Sequence, residues 1–304
     1  MTLELRAPTL GDLDVLVPFF ERERKRYGSQ AMTEGRLRDT LTTERWKPGE
    51  NLRIALDDGR ITGWGSLWLP EGQPERIFLH VRAAGRELAA YRPLLDWAEG
   101  RAIEIGSGDT VRVQAGAEHD DEVLLAELRR RGYEFVRHFF EMEIELSDEP
   151  GAPVWPEGLT VRTFSHEDAR AIFEADMEAF EDHWDSFHVS FDEWSAYFLG
   201  SSEFDPELWF LAEDGDQLAG YALCSNKGGE AEGAVSVLGV RRPWRRRGVG
   251  TALLLTAFHE FRRRGRRKAG LMVDGENLTG AVRLYERAGM HVARRVERFT
   301  KELP

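Results

Sequence analysis

Cysteine is almost missing from this 304-residue chain, and Cys224 is the single one. No disulfide within the chain can therefore hold the fold, and the sequence reads as a protein of a reducing compartment. Long apolar runs are missing as well. None approaches the ~20 residues that a membrane-spanning helix needs, so no membrane partner is expected. The opening stretch MTLELRAPTLGDLDVLVPFF lacks a basic segment followed by an apolar one. It does not read as a signal peptide, and the expected location is the cytoplasm. Positive charge is short overall: 41 Lys and Arg stand against 54 Asp and Glu, a net charge of −13. That balance argues against general nucleic-acid affinity, so nucleic acid is not expected as the partner and any anion site must be local. The His and carboxylate residues show no convincing metal-ligand spacing, and no metal is expected. What the chain does have is 41% hydrophobic and 31% charged residues, the composition of a soluble protein with room for two domains.

The chain is written twice. LELRAPTLGDLDVL at 3–16 parallels LTVRTFSHEDARAI at 159–172, and NLRIALDDGRITGWGSLWL at 51–69 parallels LWFLAEDGDQLAGYALCS at 208–225. ELRRRGYEFVRHFFEMEIEL at 127–146 parallels LYERAGMHVARRVERFTKEL at 284–303. The offset stays near about 157 residues, which marks a duplicated domain rather than an array of short repeats. SDEPGAPVWPEG between the copies has the Pro, Gly and acidic residues of a linker. The expected division is 1–146, a linker at 147–158, and 159–304. Each copy reads as a strand, a helical region, a hairpin with an Asp-Gly turn (Asp58-Gly59 and Asp214-Gly215), then strand, helix, strand, helix, strand. The expected class is α/β, with a mixed sheet that carries helices on its faces (an α+β mixed sheet).

The most informative stretch is GVRRPWRRRGVGTALLLTAF at 239–258. AVSVLGV before it has the β-branched content of a buried strand, and Pro243 ends it. After it, Ala252, Leu253, Leu255, Ala257, Phe258 and Phe261 give a helix an apolar side. Arg262 to Arg264 suit that helix's negative end, and Gly265 suits its C-terminal cap. Arg245 to Gly250 thus lies between a strand end and a helix N-terminus, where free backbone amides favour an anion. Gly248 and Gly250 place no side chain in a ligand's way. The spacing fits neither a Walker loop nor a dinucleotide fingerprint. Two duller readings stay beside this one: a solvated basic face, and an RNA-binding patch, against which stands the acidic balance of the whole chain. RRRGRRK at 262–268 reads as a helix end and a solvated turn.

Arg-x-x-Gly-x-Gly at 245–250, followed by VDGENLTGAVRLYERAGM at 273–290, resembles the GNAT superfamily of acetyl-CoA-dependent N-acetyltransferases. Through the duplication, the resemblance extends to two tandem GNAT folds and to arrangements like that of mycothiol synthases. It implies acetyl-CoA as cosubstrate and a primary amine as acceptor, with direct transfer in the second copy. It implies that Arg245, Arg246, Arg247, Gly248, Val249, Gly250 and Thr251 hold the pyrophosphate of coenzyme A. Leu238, Gly239 and Val240 would carry the pantetheine arm on their backbone. Tyr285 would protonate the leaving thiolate and border the coenzyme, or else be an ordinary core tyrosine. Asn277 either bonds coenzyme A or caps the helix that begins near Thr279. In mycothiol synthases a strand glutamate is the base. Here that position is Ala234, which cannot take a proton, so mycothiol synthesis does not carry over with the resemblance. Glu232, two residues earlier on the same face, is one substitute. EAFEDHWDSFH at 178–188 supplies another: His183, whose imidazole can take a proton, while Glu178, Asp182 and Asp185 with it would border and attract a cationic amine. Each is equally at home on a plain surface. Protein or peptide N-acetylation and a non-catalytic acetyl-CoA sensor are the alternatives.

The first copy has lost the motif. HVRAAGRELAAYRPLLDWAE at 80–99 has a lone Gly85 and places Glu87 where a phosphate would lie. Aligning Gly132 with Gly289 puts Leu128 at the tyrosine position and Asp120 at the asparagine position. Residues 1–146 are therefore expected to be a degenerate GNAT-like domain, and 159–304 the catalytic one.

Overall fold

The computed structural model describes residues 3–27, 32–73, 75–181, 183–184, 186, 188–225, 231–276 and 280–304. It divides into two compact units, Met1–Phe139 with Arg294–Pro304, and Phe140–Ala293. The first copy runs β1 (Glu4–Arg6), α1 (Leu13–Tyr27), α2 (Glu34–Thr42), α3 (Pro48–Asn51), β2 (Leu52–Asp57), β3 (Arg60–Trp68), β4 (Arg76–Ala83), α4 (Leu88–Ile105), β5 (Val111–Glu118), α5 (Glu122–Arg130) and β6 (Glu134–Glu145). The second repeats the order with β7 (Leu159–Thr163), α6 (Ala169–Phe180), α7 (Phe191–Phe198), β8 (Trp209–Asp214), β9 (Gln217–Ser225), β10 (Glu232–Val240), α8 (Val249–Arg263), β11 (Lys268–Asp274), α9 (Ala281–Arg287) and β12 (His291–Leu303). Antiparallel hairpins give way to the parallel pairs β4 with β5 and β10 with β11, so the sheets are mixed, as the patterning predicts.

The unit boundaries differ from the repeat boundaries for a reason of pairing. β12 lies antiparallel to β5, from Val296↔Glu118 to Leu303↔Val111. It thereby completes the sheet of the first unit in the order β1-β2-β3-β4-β5-β12. The second unit has the order β6-β11-β10-β9-β8-β7. There the Leu146 amide donates to the Arg267 carbonyl at 2.8 Å, and Lys268 reaches Glu145 at 2.8 Å. β12 thus lies largely in the first unit, from Arg294 onward, whereas β6 is divided, residues 134–139 in the first unit and 140–145 in the second.

The first unit's core lies between the sheet and α4, whose Tyr91, Leu94, Leu95, Ala98 and Ala102 recur at helical spacing over Leu79, Val81, Val113 and Ala115. Phe299 of β12 is fully buried in it. The second unit's core is built on α8, with Leu253, Leu254, Phe258 and Phe261 over Ala222, Val235 and Leu271. At the helix end Arg262, Arg263, Gly265 and Arg267 are exposed, as expected of a solvated turn, while Arg264 is ion-paired with Asp205, Glu207 and Glu260. The first hairpin turns at Asp58-Gly59, both in the left-handed region. The second turns one residue later than expected, at Gly215-Asp216, because Asp214 still pairs with Gln217.

The duplication shows in side chains as well. Arg6 donates to Asp12, whose carboxylate also accepts from the Thr9 amide, and Arg162 with Asp168 and Ser165 repeats the device. Hydrogen bonds from Arg6, outweighing burial, lower the Asp12 pKa to about 2. A depressed carboxylate stabilises the fold fully above its unfolded pKa and loses that contribution as pH falls through the folded value. Asp12→Asn should therefore cost about 2 kcal/mol at pH 7 and almost nothing near pH 2, read as the difference in urea midpoints across pH. Phe299→Ala should cost ~3–5 kcal/mol, and hydrogen exchange should speed up in β4, β5 and α4 despite the residue's place at the far end of the chain.

Candidate active site

β10 is held on both sides only at its start. Its register with β11 runs Glu232↔Lys268, Gly233↔Ala269, Ala234↔Gly270, whereas its register with β9 continues to Val240↔Gly220. Past Ala234 the two parallel strands part. A bulge between Val235 and Val237 falls at the parting, where bulges commonly bend a strand. The Arg241 amide donates to the Ala219 carbonyl of β9 at 3.0 Å. Successive residues of a strand direct their backbone groups to opposite edges, so Gly239 also faces β9, while Leu238 and Val240 face the open edge. Arg245 already uses that edge, its Nε donating to the Val240 carbonyl at 3.1 Å.

The strand leads into a loop with two left-handed residues, Arg246 (φ 61°) and Gly248 (φ 91°). Gly248 is the N-cap of α8 and brings no side chain to its first amides. The first intrahelical bond is Ala252 to Gly248, at 3.0 Å, so the amides of Val249, Gly250 and Thr251 precede it. Gly248 is glycine for its backbone angle. Gly250 is glycine for packing: a Cβ there would stand 3.1 Å from Leu284 and 3.5 Å from Val240. Its bareness thus brings α8 close to α9 and β10 rather than clearing a path for a ligand. Arg246 and Arg247 are exposed, and Arg245 is half-buried, its second nitrogen reaching the Ala179 carbonyl at 3.3 Å. A strand edge with unpaired backbone groups, ending in a helix start open to an anion, fits the thioester arm and pyrophosphate of a coenzyme A ester.

Tyr285 is buried on α9, beside the Leu284 that packs on Gly250. Burial pushes its hydroxyl pKa up to about 12. Its hydroxyl has no hydrogen-bond partner among the described residues. Glu178, at the end of α6, is engaged by the loop. Its Oε2 accepts from Arg241 Nε at 2.7 Å and its Oε1 from the Arg242 amide at 3.3 Å. Burial opposes ionisation of Glu178, but these bonds outweigh it and hold the carboxyl below its ordinary value. Arg242 also reaches Glu181 at 2.8 Å. His183 follows on the same segment, half-buried, its amide on the Phe180 carbonyl at 2.9 Å. Glu232 stands at the other end of β10, opposite Lys268, whose ammonium pKa is raised by Glu145, with Glu143 and Glu232 adding to it. Asp182, Asp185 and Asn277 lie outside the described residues.

A buried network here leaves no sequence signal. Asp176 of α6 accepts from Tyr221 of β9 at 2.8 Å and from Trp194 of α7 at 3.0 Å. Burial raises its pKa in spite of both bonds. The Tyr221 ring crosses β10 at Gly239, where a Cβ would come within 2.2 Å of it. The partners are 18 and 45 residues from Asp176, so no local spacing could mark them.

The first unit keeps the backbone of the loop and loses its openness. Gly85 (φ 65°) and Arg86 (φ 58°) are left-handed. Arg86, however, spans the place with a bond to Asp120 at 2.7 Å, and Gly85 faces the Glu87 carboxylate, 3.5 Å from where a Cβ would be.

With this geometry in hand, residues 169–290 match the Acetyltransferase (GNAT) family. The chain is 34% identical over 255 residues to a mycothiol acetyltransferase of Geodermatophilus obscurus, covering 79% of each chain. It is 31% identical to that of Streptomyces scabiei, covering 92% of this chain and 89% of the relative. The chain belongs to the GNAT acetyltransferase family. Among solved structures, a GCN5-related N-acetyltransferase from Sphaerobacter thermophilus superposes with a TM-score of 0.80 at 32% identity, covering 99% of this chain and 95% of the other. A tandem GNAT protein from the clavulanic acid biosynthesis pathway shares the fold with a TM-score of 0.74 at 18% identity, covering 99% and 98%. The two copies are therefore tandem GNAT folds, and the GNAT chain is an acyltransferase. Among the described residues no group of three His, Cys, Asp or Glu could hold a metal ion, and no helix is long and apolar enough to cross a membrane.

In this GNAT fold the Tyr221 ring shapes the strand edge, so Gly239→Ala should cost ~1–3 kcal/mol through overpacking. Gly151→Ala, which meets nothing within 4 Å, should stay within ~0.5 kcal/mol. Paired urea titrations check the contrast.

Proposed function

We propose that the chain transfers an acetyl group from acetyl-CoA to the primary amine of a small molecule, and that the second copy carries the chemistry. The observation that supports this most is the parted edge of β10 running into the open N-terminus of α8, against an Arg86–Asp120 pair at the matching place in the first copy. When bound, acetyl-CoA supplies the activated acetyl group and departs as a thiol. Leu238 and Val240 would hold the arm through their backbone, Gly239 keeping the strand close to Tyr221. The amides from Gly248 to Thr251, with Arg246 and Arg247 beside them, would hold the pyrophosphate, and Arg245 would brace the loop. Asn277 remains a candidate coenzyme contact.

Tyr285 would give its proton to the leaving thiolate. Burial keeps the hydroxyl protonated at neutral pH, as a donor must be. His183 is the favoured base. Glu232 lies six residues from Leu238, about 20 Å along an extended strand, and beside an ammonium. The Glu178 bonds to Arg241 and Arg242 favour a role in setting the loop over one as a free carboxylate at the acceptor. The relatives' name makes the acetylation they carry out the first acceptor to test, while Ala234 speaks against a base on that strand position.

The test is coenzyme A release over a panel of small amines and peptides, with acetyl-CoA binding measured separately. Turnover on a small amine is expected. Tyr285→Phe should lower kcat by roughly 10²-fold while acetyl-CoA affinity stays nearly constant. Tight acetyl-CoA binding without turnover on any amine would turn the reading to a sensor.

A further inference from the structure

The two copies share one more place in the fold, and they fill it with opposite chemistry. Asp176 lies eight residues beyond Asp168 in the second copy, and Phe20 lies eight beyond Asp12 in the first. Tyr221 is the fifth residue of β9 and Trp64 the fifth of β3, both strands of nine residues. Trp194 stands four residues after Ser190, the N-cap of α7, and Leu37 four after Thr33, the N-cap of α2. Phe20, Leu37 and Trp64 are thus the counterparts of Asp176, Trp194 and Tyr221.

In the first copy the three side chains are buried in one apolar cluster, with the Phe20 and Trp64 rings edge to face and their centroids 5.4 Å apart. In the second copy a buried carboxylate takes the place of Phe20 and accepts from the Tyr221 hydroxyl and the Trp194 indole. Removing a carboxylate from water is unfavourable even with two donors, and burial raises its pKa in spite of them. An apolar set fills the same place in the same fold without that penalty. The polar set therefore answers to something other than the packing of α6, α7 and β9.

What a carboxylate adds is direction. Apolar side chains can slide against one another, whereas a hydrogen bond fixes its donor in distance and angle. The atoms nearest to where a Gly239 Cβ would stand are Tyr221 Cζ and Oη. The hydroxyl that Asp176 holds is thus the atom that rests against the Gly239 backbone, between Leu238 and Val240. The first copy has a long side chain at this point: Trp64 is registered with Arg82, where Tyr221 is registered with Gly239. Its corner is spanned by Arg86 and Asp120. The directional bond and the bare glycine occur together in the copy whose strand edge is open.

We infer that Asp176 is a positioning residue of the coenzyme site. Through the Tyr221 hydroxyl it fixes the Gly239 backbone, and with it the direction in which Leu238 and Val240 present their peptide groups to the thioester arm. Trp194 holds the second carboxylate oxygen, so that the first cannot turn away from Tyr221. The inference rests on the reading of the β10 edge as the seat of that arm.

The test measures binding of acetyl-CoA and of 3′-phospho-ADP, the coenzyme's nucleotide half, to the full chain. The decisive variant combines Asp176→Leu, Trp194→Phe and Tyr221→Phe, which makes the place apolar as in the first copy and removes donors and acceptor together. Its urea midpoint should equal or exceed the wild-type value. Acetyl-CoA should bind it at least fivefold more weakly, while 3′-phospho-ADP, which reaches the loop alone, stays within twofold. Tyr221→Phe, which keeps the ring and removes only the held atom, should show the same split and serves if the triple variant fails to fold. Asp176→Asn still offers the hydroxyl a partner and should keep acetyl-CoA affinity within threefold. The inference is overturned by an acetyl-CoA loss below fivefold in the folded triple or Tyr221→Phe variant, or by an equal loss for 3′-phospho-ADP. A wild-type chain that binds no acetyl-CoA overturns the reading of the edge and this inference with it. Wild-type binding with unaffected variants overturns the inference alone.

Discussion

A β-strand can offer its backbone to a ligand only where it has given up a neighbour. In this chain that constraint acts at one place in the second unit, the parting of β10 from β11 after Ala234↔Gly270. Everything proposed for the site follows from it. The Leu238 and Val240 backbone groups would otherwise be consumed in the sheet. The loop would otherwise leave a closed edge, and α8 would begin over a sealed surface. Unpaired backbone groups in a protein interior are costly, and a strand edge so exposed is stable only with other support.

That support comes from the faces of β10 and from its remaining neighbour. β9 pairs with it to the last residue, and α8 covers one side. On the other side Tyr221 lies against Gly239, pinned by Asp176, which is pinned in turn by Trp194. A buried carboxylate with a raised pKa is an expensive anchor, and it holds α6, α7 and β9 in one arrangement. α6 then reaches the loop directly through Glu178 and Arg241. The strand edge, the loop and the segment bearing His183 are thus tied by buried or charge-assisted bonds rather than by the loop's own sequence.

Much of this was legible in the residues. The Asp58-Gly59 hairpin, the α8 stripe and the tandem order rest on periodicity and turn chemistry, which are local. Gly248 was marked only as a residue with no side chain in a ligand's way, and its left-handed angle at the strand-to-helix corner adds a backbone reason. Gly250 was read for the wrong reason, since its closeness to Leu284 depends on how α9 packs. The Asp176 network and the role of Glu178 join residues 18 to 64 positions apart and have no local mark. The change of partners by β12 was beyond the sequence for a similar reason. The two copies have equivalent last strands, and either strand's alternation suits either sheet.

The duplication turns this into a comparison that holds the fold fixed. Both units keep the fork of two parallel strands and the left-handed corner after it. What differs is the chemistry placed there. The second unit leaves its corner open, and its arginines turn back onto Val240, Ala179, Glu178 and Glu181. The first spans its corner with Arg86 and Asp120. A fork cannot be lost without rebuilding the sheet, whereas a corner can be closed by one ion pair. Closing the corner is therefore the smaller change of the two, and it is the one by which the first unit differs from the second.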